Sequence, residues 1–306
     1  MTPLRGIALK LCSVCLMVAM ASLIKASADA VPPGQAVFFR SLFALPVIVG
    51  WLAWRHELRV GLRTANPMAH VWRGLIGTAS MALMFTGLGL LPLPEVTAIG
   101  YAAPILVVIF AAMFLGERVR VFRLSMVGFG LLGVLVVLSP RLAVDPRMAD
   151  ASETLGAIIV LLAAVGVALV QVFVRKMVQT ETTAAIVFWF SITATVLSLL
   201  TLPWGWAWPS PQVALMLIGA GILGGTGQIL LTSSFRYADA SLIAPFEYAS
   251  ILLAIAVGYT VFGEVPGRTM LIGAAMVVAA GIAIILRERQ LGLARARQRK
   301  AVSNHP

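Results

Sequence analysis

The sequence predicts an all-α polytopic membrane protein, with ten transmembrane helices arranged as two inverted five-helix repeats. Three observations predict it. First, 60% of the 306 residues are hydrophobic and only 11% are charged, whereas a soluble domain carries about 25% charged residues. That leaves too little polar surface to cover a fold in water, so lipid must be the solvent. Second, the chain contains about ten apolar runs, and about 20 apolar residues suffice for a helix to cross the hydrocarbon core. The runs are continuous rather than alternating, which argues against a β-barrel. Third, residues 101–118, YAAPILVVIFAAMFLGER, are echoed by residues 248–265, YASILLAIAVGYTVFGEV.

Taken in order, helix one is expected at about 6–24. Arg5, Lys10 and the Ala26-Ser27-Ala28 triplet give this run the look of a signal peptide, but Gly6 to Lys25 matches Gly156 to Arg175, so it is read as a retained helix. Cys12 and Cys15 lie within it at i, i+3, a spacing poor for a disulfide, and are read as small packing residues. Helix two (about 35–54) follows VPPG, helix three (70–91) follows TANP, and helix four (95–115) follows LPLP. Helix five (122–139) ends at SPRLAVDPR. Helices six (154–174) and seven (184–204) lead to PWGWAWPSP, whose tryptophans read as interfacial anchors. Helices eight (212–235), nine (241–262) and ten (268–286) complete the set. Residues 1–140 therefore form a first repeat, 141–153 an extracytoplasmic linker, 154–287 a second repeat and 288–306 a basic tail.

The repeat rests on ordered pairs. An offset of 150 pairs Gly6 with Gly156, Lys25 with Arg175 and Phe38 with Phe188. An offset of 147 pairs Gly74 with Gly221, Tyr101 with Tyr248, and Gly116-Glu117 with Gly263-Glu264. Five is odd, so the second block enters the membrane upside down. With the N-terminus inside, 17 of the 23 Lys and Arg residues belong to the inside surface or the tail and four to the outside, leaving Arg40 and Arg73 deeper in spans. The positive-inside rule thus places both termini in the cytoplasm and accounts for the net charge of +11 with no nucleic-acid partner.

Phe38-Phe39-Arg40 early in helix two, Gly-Glu closing helices four and nine, and the two five-helix halves resemble the EamA family of the drug/metabolite transporter superfamily. The resemblance covers essentially the whole chain. It implies secondary transport across the bacterial inner membrane through a central cavity lined from both halves. The stretches VPPGQAVFFRSLFALPV, LPLPEVTAIGYAAP and YADASLIAPFEYAS look like the branch that includes bacterial riboflavin transporters. Related branches carry S-adenosylmethionine or amino acids.

An ionisable residue in a span costs about 2.5–3.5 kcal/mol on insertion scales, so each needs a reason. Arg40 contacts an anionic or carbonyl group of a substrate, ties helix two to backbone carbonyls, or snorkels. Arg73, in the first turn of helix three, is expected to snorkel. Glu247, two residues after Pro245, has Gly100 as its counterpart, so the two halves differ there; it is read as a coupling carboxylate or as an interhelical hydrogen bond. Gln171 and Gln228 offer mid-span donors and acceptors. Tyr101, Tyr248 and Trp189, with Phe85 and Phe188, offer flat apolar walls. Glu117 and Glu264 are gate or loop candidates.

There is no Gly-Lys dipeptide and hence no Walker A loop. His56, His70 and His305 are expected in loops or the tail, so neither a metal nor a cofactor is predicted. The expectation is a non-enzymatic carrier of a small molecule, with riboflavin uptake the leading cargo. Another carrier activity of the same family, or a non-transporting membrane sensor or assembly subunit, are the alternatives.

Overall fold

The computed structural model describes residues 3–115, 121–140, 151–177, 180–237 and 244–303. Its helices are α1 (Pro3–Ser27), α2 (Pro33–Trp54), the single turn α3 (Leu58–Gly61), α4 (Pro67–Leu90), α5 (Leu93–Gly100), α6 (Ala102–Leu115), α7 (Val121–Leu138), α8 (Ala151–Met177), α9 (Thr183–Leu199), α10 (Pro211–Tyr237), α11 (Ala249–Phe262) and α12 (Arg268–Ser303). Short 3₁₀ turns cover Leu202–Trp204 and Ala244–Tyr248. Among the described residues seven helical stretches are long and apolar enough to cross a membrane, and three shorter apolar helices bring the number of passes to ten.

Local chemistry starts these helices where the loops predict. Proline opens α2, α4 and α10, where its missing N–H would have no helical partner. The Asn66 side chain caps α4 by accepting from the Ala69 N–H, and Thr182 caps α9 by accepting from the Ala185 N–H. The apolar part of α12 ends at Arg287, yet the helix continues through the basic residues to Ser303.

Packing reproduces the inverted repeat. The contact of α1 with α10 is mirrored by that of α8 with α4, and α2 against α10 by α9 against α4. The α2–α9 and α7–α12 contacts are each their own mirror image. The last pair touches through glycines: a Cβ on Gly133 would come 2.9 Å from the Gly273 carbonyl oxygen, so only bare backbone allows this approach. Gly130 likewise packs on Ile105 and Ala280, whereas Gly128 faces open space.

Two expected helices are broken at equivalent points. Helix four splits at Tyr101 into α5 and α6, and helix nine is a 3₁₀ turn through Tyr248 before α11 begins. Pro104 has no N–H for the Gly100 carbonyl, which accounts for the first break. The Leu93–Phe114 span is the most enclosed, 56% buried against 28–39% for the other six long spans, so the broken helix lies at the centre of the bundle.

Two ends can be distinguished. The chain enters α1 at what is here termed the basic end, where Arg5 lies 5.5 Å from the Tyr237 ring. At this end Glu181 accepts hydrogen bonds from the Asn66 N–H, the Ala65 N–H and the Thr64 hydroxyl, and lies 3.4 Å from His70 Nε2. His70 is therefore not a loop residue but a buried one in the first turn of α4.

Candidate functional site

A cavity of about 290 Å³ lies between the halves, walled by α1, α4, α5, α6 and α8, with Leu231 of α10, Glu247 and Ser250 completing it. Its size is at the lower limit for small-molecule pockets, roughly 300–1,000 Å³. The wall is mostly apolar, and of its polar groups Lys10, Tyr101 and Ser250 gather around Glu247.

Lys10 is 3% exposed and its Nζ lies 3.2 Å from Glu247 Oε2. The lysine was expected among the loop charges; its neighbours Ser13, Val14 and Met17 instead carry it inside, along the α1 face that lines the cavity. A buried ammonium needs a counter-charge, and Glu247 supplies it while keeping 54% of its own side chain exposed. A sequence signal for this pair existed. At the repeat offsets Lys10 faces Val160 and Glu247 faces Gly100, so this lysine and this glutamate, one in each half, are both unmatched and of opposite sign.

The break in the central helix supplies the rest. Tyr101 and Tyr248, equivalent in the repeat, meet across the pseudo-two-fold axis with ring centres 4.9 Å apart. The Tyr101 hydroxyl donates to the Glu247 carbonyl at 2.6 Å. Having only one proton, it must accept from the Ser250 hydroxyl, its other partner. A further space of about 160 Å³ on the α12 side shares Tyr101, Glu247 and Tyr248, so the tyrosine pair stands between two openings.

At the far end the cavity is closed. Leu88, Leu91 and Leu93 are at most 2% exposed. Lys25 donates to the Leu88 and Leu91 carbonyls at 3.2 and 2.7 Å and pairs with Glu264 at 2.9 Å. Glu264 Oε2 accepts from the Leu93 N–H at 2.8 Å, capping α5. Gly263 makes this geometry: at φ +67° it ends α11 and turns the chain back so that the next residue reaches α5. Gln171 and Glu247, towards the other end of the cavity, are exposed, so the cavity opens towards the basic end.

The remaining candidates lie elsewhere. Trp189 is outside the cavity: its Nε1 donates to the Leu62 carbonyl at 3.1 Å, tying α9 to the α3–α4 segment. Gln228 is half-buried on α10 and is not part of the cavity wall. Phe85 belongs to the packed core. Arg40 is 8% exposed and faces the Phe190 ring. Arg73 does not snorkel; it turns inward onto the same ring. Glu117 lies outside the described residues. Cys12 and Cys15 are free and sit on the exposed face of α1 rather than in packing contacts.

The profile of the EamA-like transporter family matches residues 4–139 and again 154–287. The chain is 28% identical to the pseudopaline exporter of Pseudomonas aeruginosa over 268 residues, covering 87% of this chain and 90% of that protein. It is 26% identical to the S-adenosylmethionine uptake transporter of Rickettsia bellii, covering 84% of each. It is also 26% identical to the riboflavin transporter of Rhizobium johnstonii, covering 85% of this chain and 83% of that protein.

Proposed function

Because the chain belongs to the EamA-like transporter family, we propose that it carries a small metabolite across the bacterial inner membrane by alternating access, with both termini in the cytoplasm. The observation that carries this reading is the cavity between inverted halves, polar at Lys10, Glu247, Tyr101 and Ser250 and sealed at one end. Inverted halves can exchange conformations, so that a cavity closed at one end becomes a cavity closed at the other. In this reading cargo enters past Gln171, stacks on the Tyr101–Tyr248 pair and exchanges hydrogen bonds with Glu247, while Lys25 and Glu264 hold the far end shut.

Riboflavin uptake is the cargo to which the sequence resemblance points, and a riboflavin transporter is among the relatives. The tyrosine pair would offer its flat ring system a stacking surface. S-adenosylmethionine is the second reading. Its carboxylate would suit the unpaired arginines Arg40 and Arg73, and similarity to transporters of that compound is equally extensive.

Counterflow into liposomes preloaded with unlabelled riboflavin or S-adenosylmethionine tests the proposal. A saturable overshoot of the labelled compound, lost in Glu247→Gln, is expected for the true cargo. A flux that neither saturates nor exchanges would mean a channel, and no flux of any metabolite tried would remove the carrier reading.

A further inference from the structure

Seven buried side-chain nitrogen or oxygen atoms lack a hydrogen-bond partner among the described residues, and all seven belong to α2 and α4. Two are on His70, beside Glu181. The others are Arg40 Nε, Ser41 Oγ, Arg73 Nε and Nη1, and Thr78 Oγ1. Buried polar groups are nearly always paired, and orphaned guanidinium donors are the least tolerable kind.

The two arginines converge. Arg40 reaches from α2 and Arg73 from α4 towards the Phe190 ring of α9, with guanidinium carbons 6.0 and 4.1 Å from the ring centre. Neither makes an ion pair among the described residues, and they are near enough to repel one another. Phe190 offers a π-face to both, which lessens the cost of the charge but accepts none of the guanidinium hydrogen bonds.

Helix packing connects the cluster to the cavity, although neither arginine is part of its wall. Arg73 lies eleven residues before Met84, about three helical turns along the same face of α4, and Met84 lines the cavity. A Cβ on Gly224 would stand 3.2 Å from Arg40 Nε and 2.8 Å from Met20 Sδ; Met20 is one turn from Met17, another lining residue. Two unpaired guanidiniums beside a transport cavity lack one thing, an anion with several oxygen acceptors. Carboxylate and phosphate match the guanidinium fork in this way.

We propose that Arg40 and Arg73 together bind the carboxylate or phosphate group of a soluble small-molecule cargo, making an anionic group a condition of recognition. This rests on the transport reading and favours, of the two cargoes named above, the one that bears a carboxylate. Riboflavin, uncharged at neutral pH, would leave both arginines unpaired.

The test is thermal unfolding of the full chain in phosphatidylcholine nanodiscs, titrated with sodium succinate or inorganic phosphate against sodium chloride at equal ionic strength. A saturable rise in Tm with at least one of the two oxyanions, absent with chloride, is expected. In Arg40→Met and in Arg73→Met the apparent affinity should fall by about tenfold or more, with Arg73→Lys retaining part of it. Without added oxyanion, Arg73→Met should melt no lower than the parent, because it removes a buried charge that had no partner; a purely structural arginine would give a lower Tm. Equal responses to chloride, or an oxyanion response unchanged in both Met variants, would overturn the proposal. So would stabilisation by phosphatidylglycerol in the nanodisc that neither soluble oxyanion reproduces, since the site would then hold a lipid headgroup. An oxyanion response that depends on both arginines, in a protein that shows no counterflow, would leave the anion site standing and remove the carrier reading alone.

Discussion

Lys10 and Glu247 depend on each other unequally. The lysine is buried and the glutamate is half-exposed, so removing either partner has a different consequence. Glu247→Gln leaves a buried ammonium uncompensated, and a loss of about 3 kcal/mol is expected. Lys10→Met leaves a carboxylate that water can reach, and should cost less than half as much. Denaturant unfolding of both singles and the double variant checks this, with the double close to Lys10→Met; equal losses in the two singles would contradict the burial asymmetry. Tyr101→Phe removes the donor to the Glu247 carbonyl and should destabilise by about 1 kcal/mol. At the basic end, burial works against the charge on Glu181, but the Asn66 N–H, the Thr64 hydroxyl, the Ala65 N–H and His70 outweigh it and hold its carboxyl below the usual carboxylate range. A depressed folded pKa stabilises above the unfolded value, about 4.3, and that contribution is lost as pH falls through the folded value. The Tm difference between the parent and Glu181→Gln should therefore shrink as the pH falls below about pH 4.

At the scale of elements, Gly263-Glu264 is a helix stop and a helix cap in one dipeptide. The glycine takes the left-handed conformation that ends α11, and the glutamate, next in the chain, caps α5 and pairs with Lys25. Glu264→Gln keeps an acceptor but loses the ion pair, and about 1–2 kcal/mol of local stability should go with it. Hydrogen exchange is the better measurement than global unfolding: amides at the start of α5 should lose protection while those of α7 do not. Comparable loss in both would mean that the contact is not local. The equivalent breaks at Tyr101 and Tyr248 have the same logic as the cap. At Tyr101 the helix is interrupted where Pro104 withholds an N–H, and the two interruptions bring the two rings, the Glu247 carbonyl and Ser250 to one point in the centre of the bundle.

For the whole molecule, the most extensive contacts between helices come in mirror-related pairs while the polar groups do not. The scaffold is thus symmetric and the site is not: one lysine and one glutamate, each without a counterpart in the other half. In the proposed cycle a symmetric scaffold would present its cavity to either side at similar energy, with the cargo meeting the same asymmetric site in both states. The closed far end makes a testable expectation. In a Cys12→Ala/Cys15→Ala background, Gln171→Cys should react with a membrane-impermeant thiol reagent added at the basic end, and Leu91→Cys should stay unreactive from either side until cargo drives exchange. Reaction of Leu91→Cys from the far side in the absence of cargo would show that the Lys25–Glu264 contact does not seal the cavity.

The class of the protein follows from composition, because a chain with so few charges has no solvent but lipid. The inverted repeat follows from spaced Gly, Tyr and Glu pairs, because packing and helix termination act on residues close in sequence and leave marks there. Glu247, Tyr101 and Tyr248 could be singled out for the same reason: an unmatched charge and a matched aromatic pair stand out against a repeated pattern. Which residues meet was a different matter. Lys10 read as one more basic residue near a helix start, Trp189 and Gln228 as site groups, and Arg73 as a snorkelling side chain. The repeat marks Lys10 and Glu247 as unmatched charges but does not show that they meet, 237 residues apart, and nothing in linear order turns Arg40 and Arg73 onto one ring. Those outcomes depend on helix rotation and on neighbours supplied by the other half, and only the packed structure, where each buried charge must find a partner or go without, decides them.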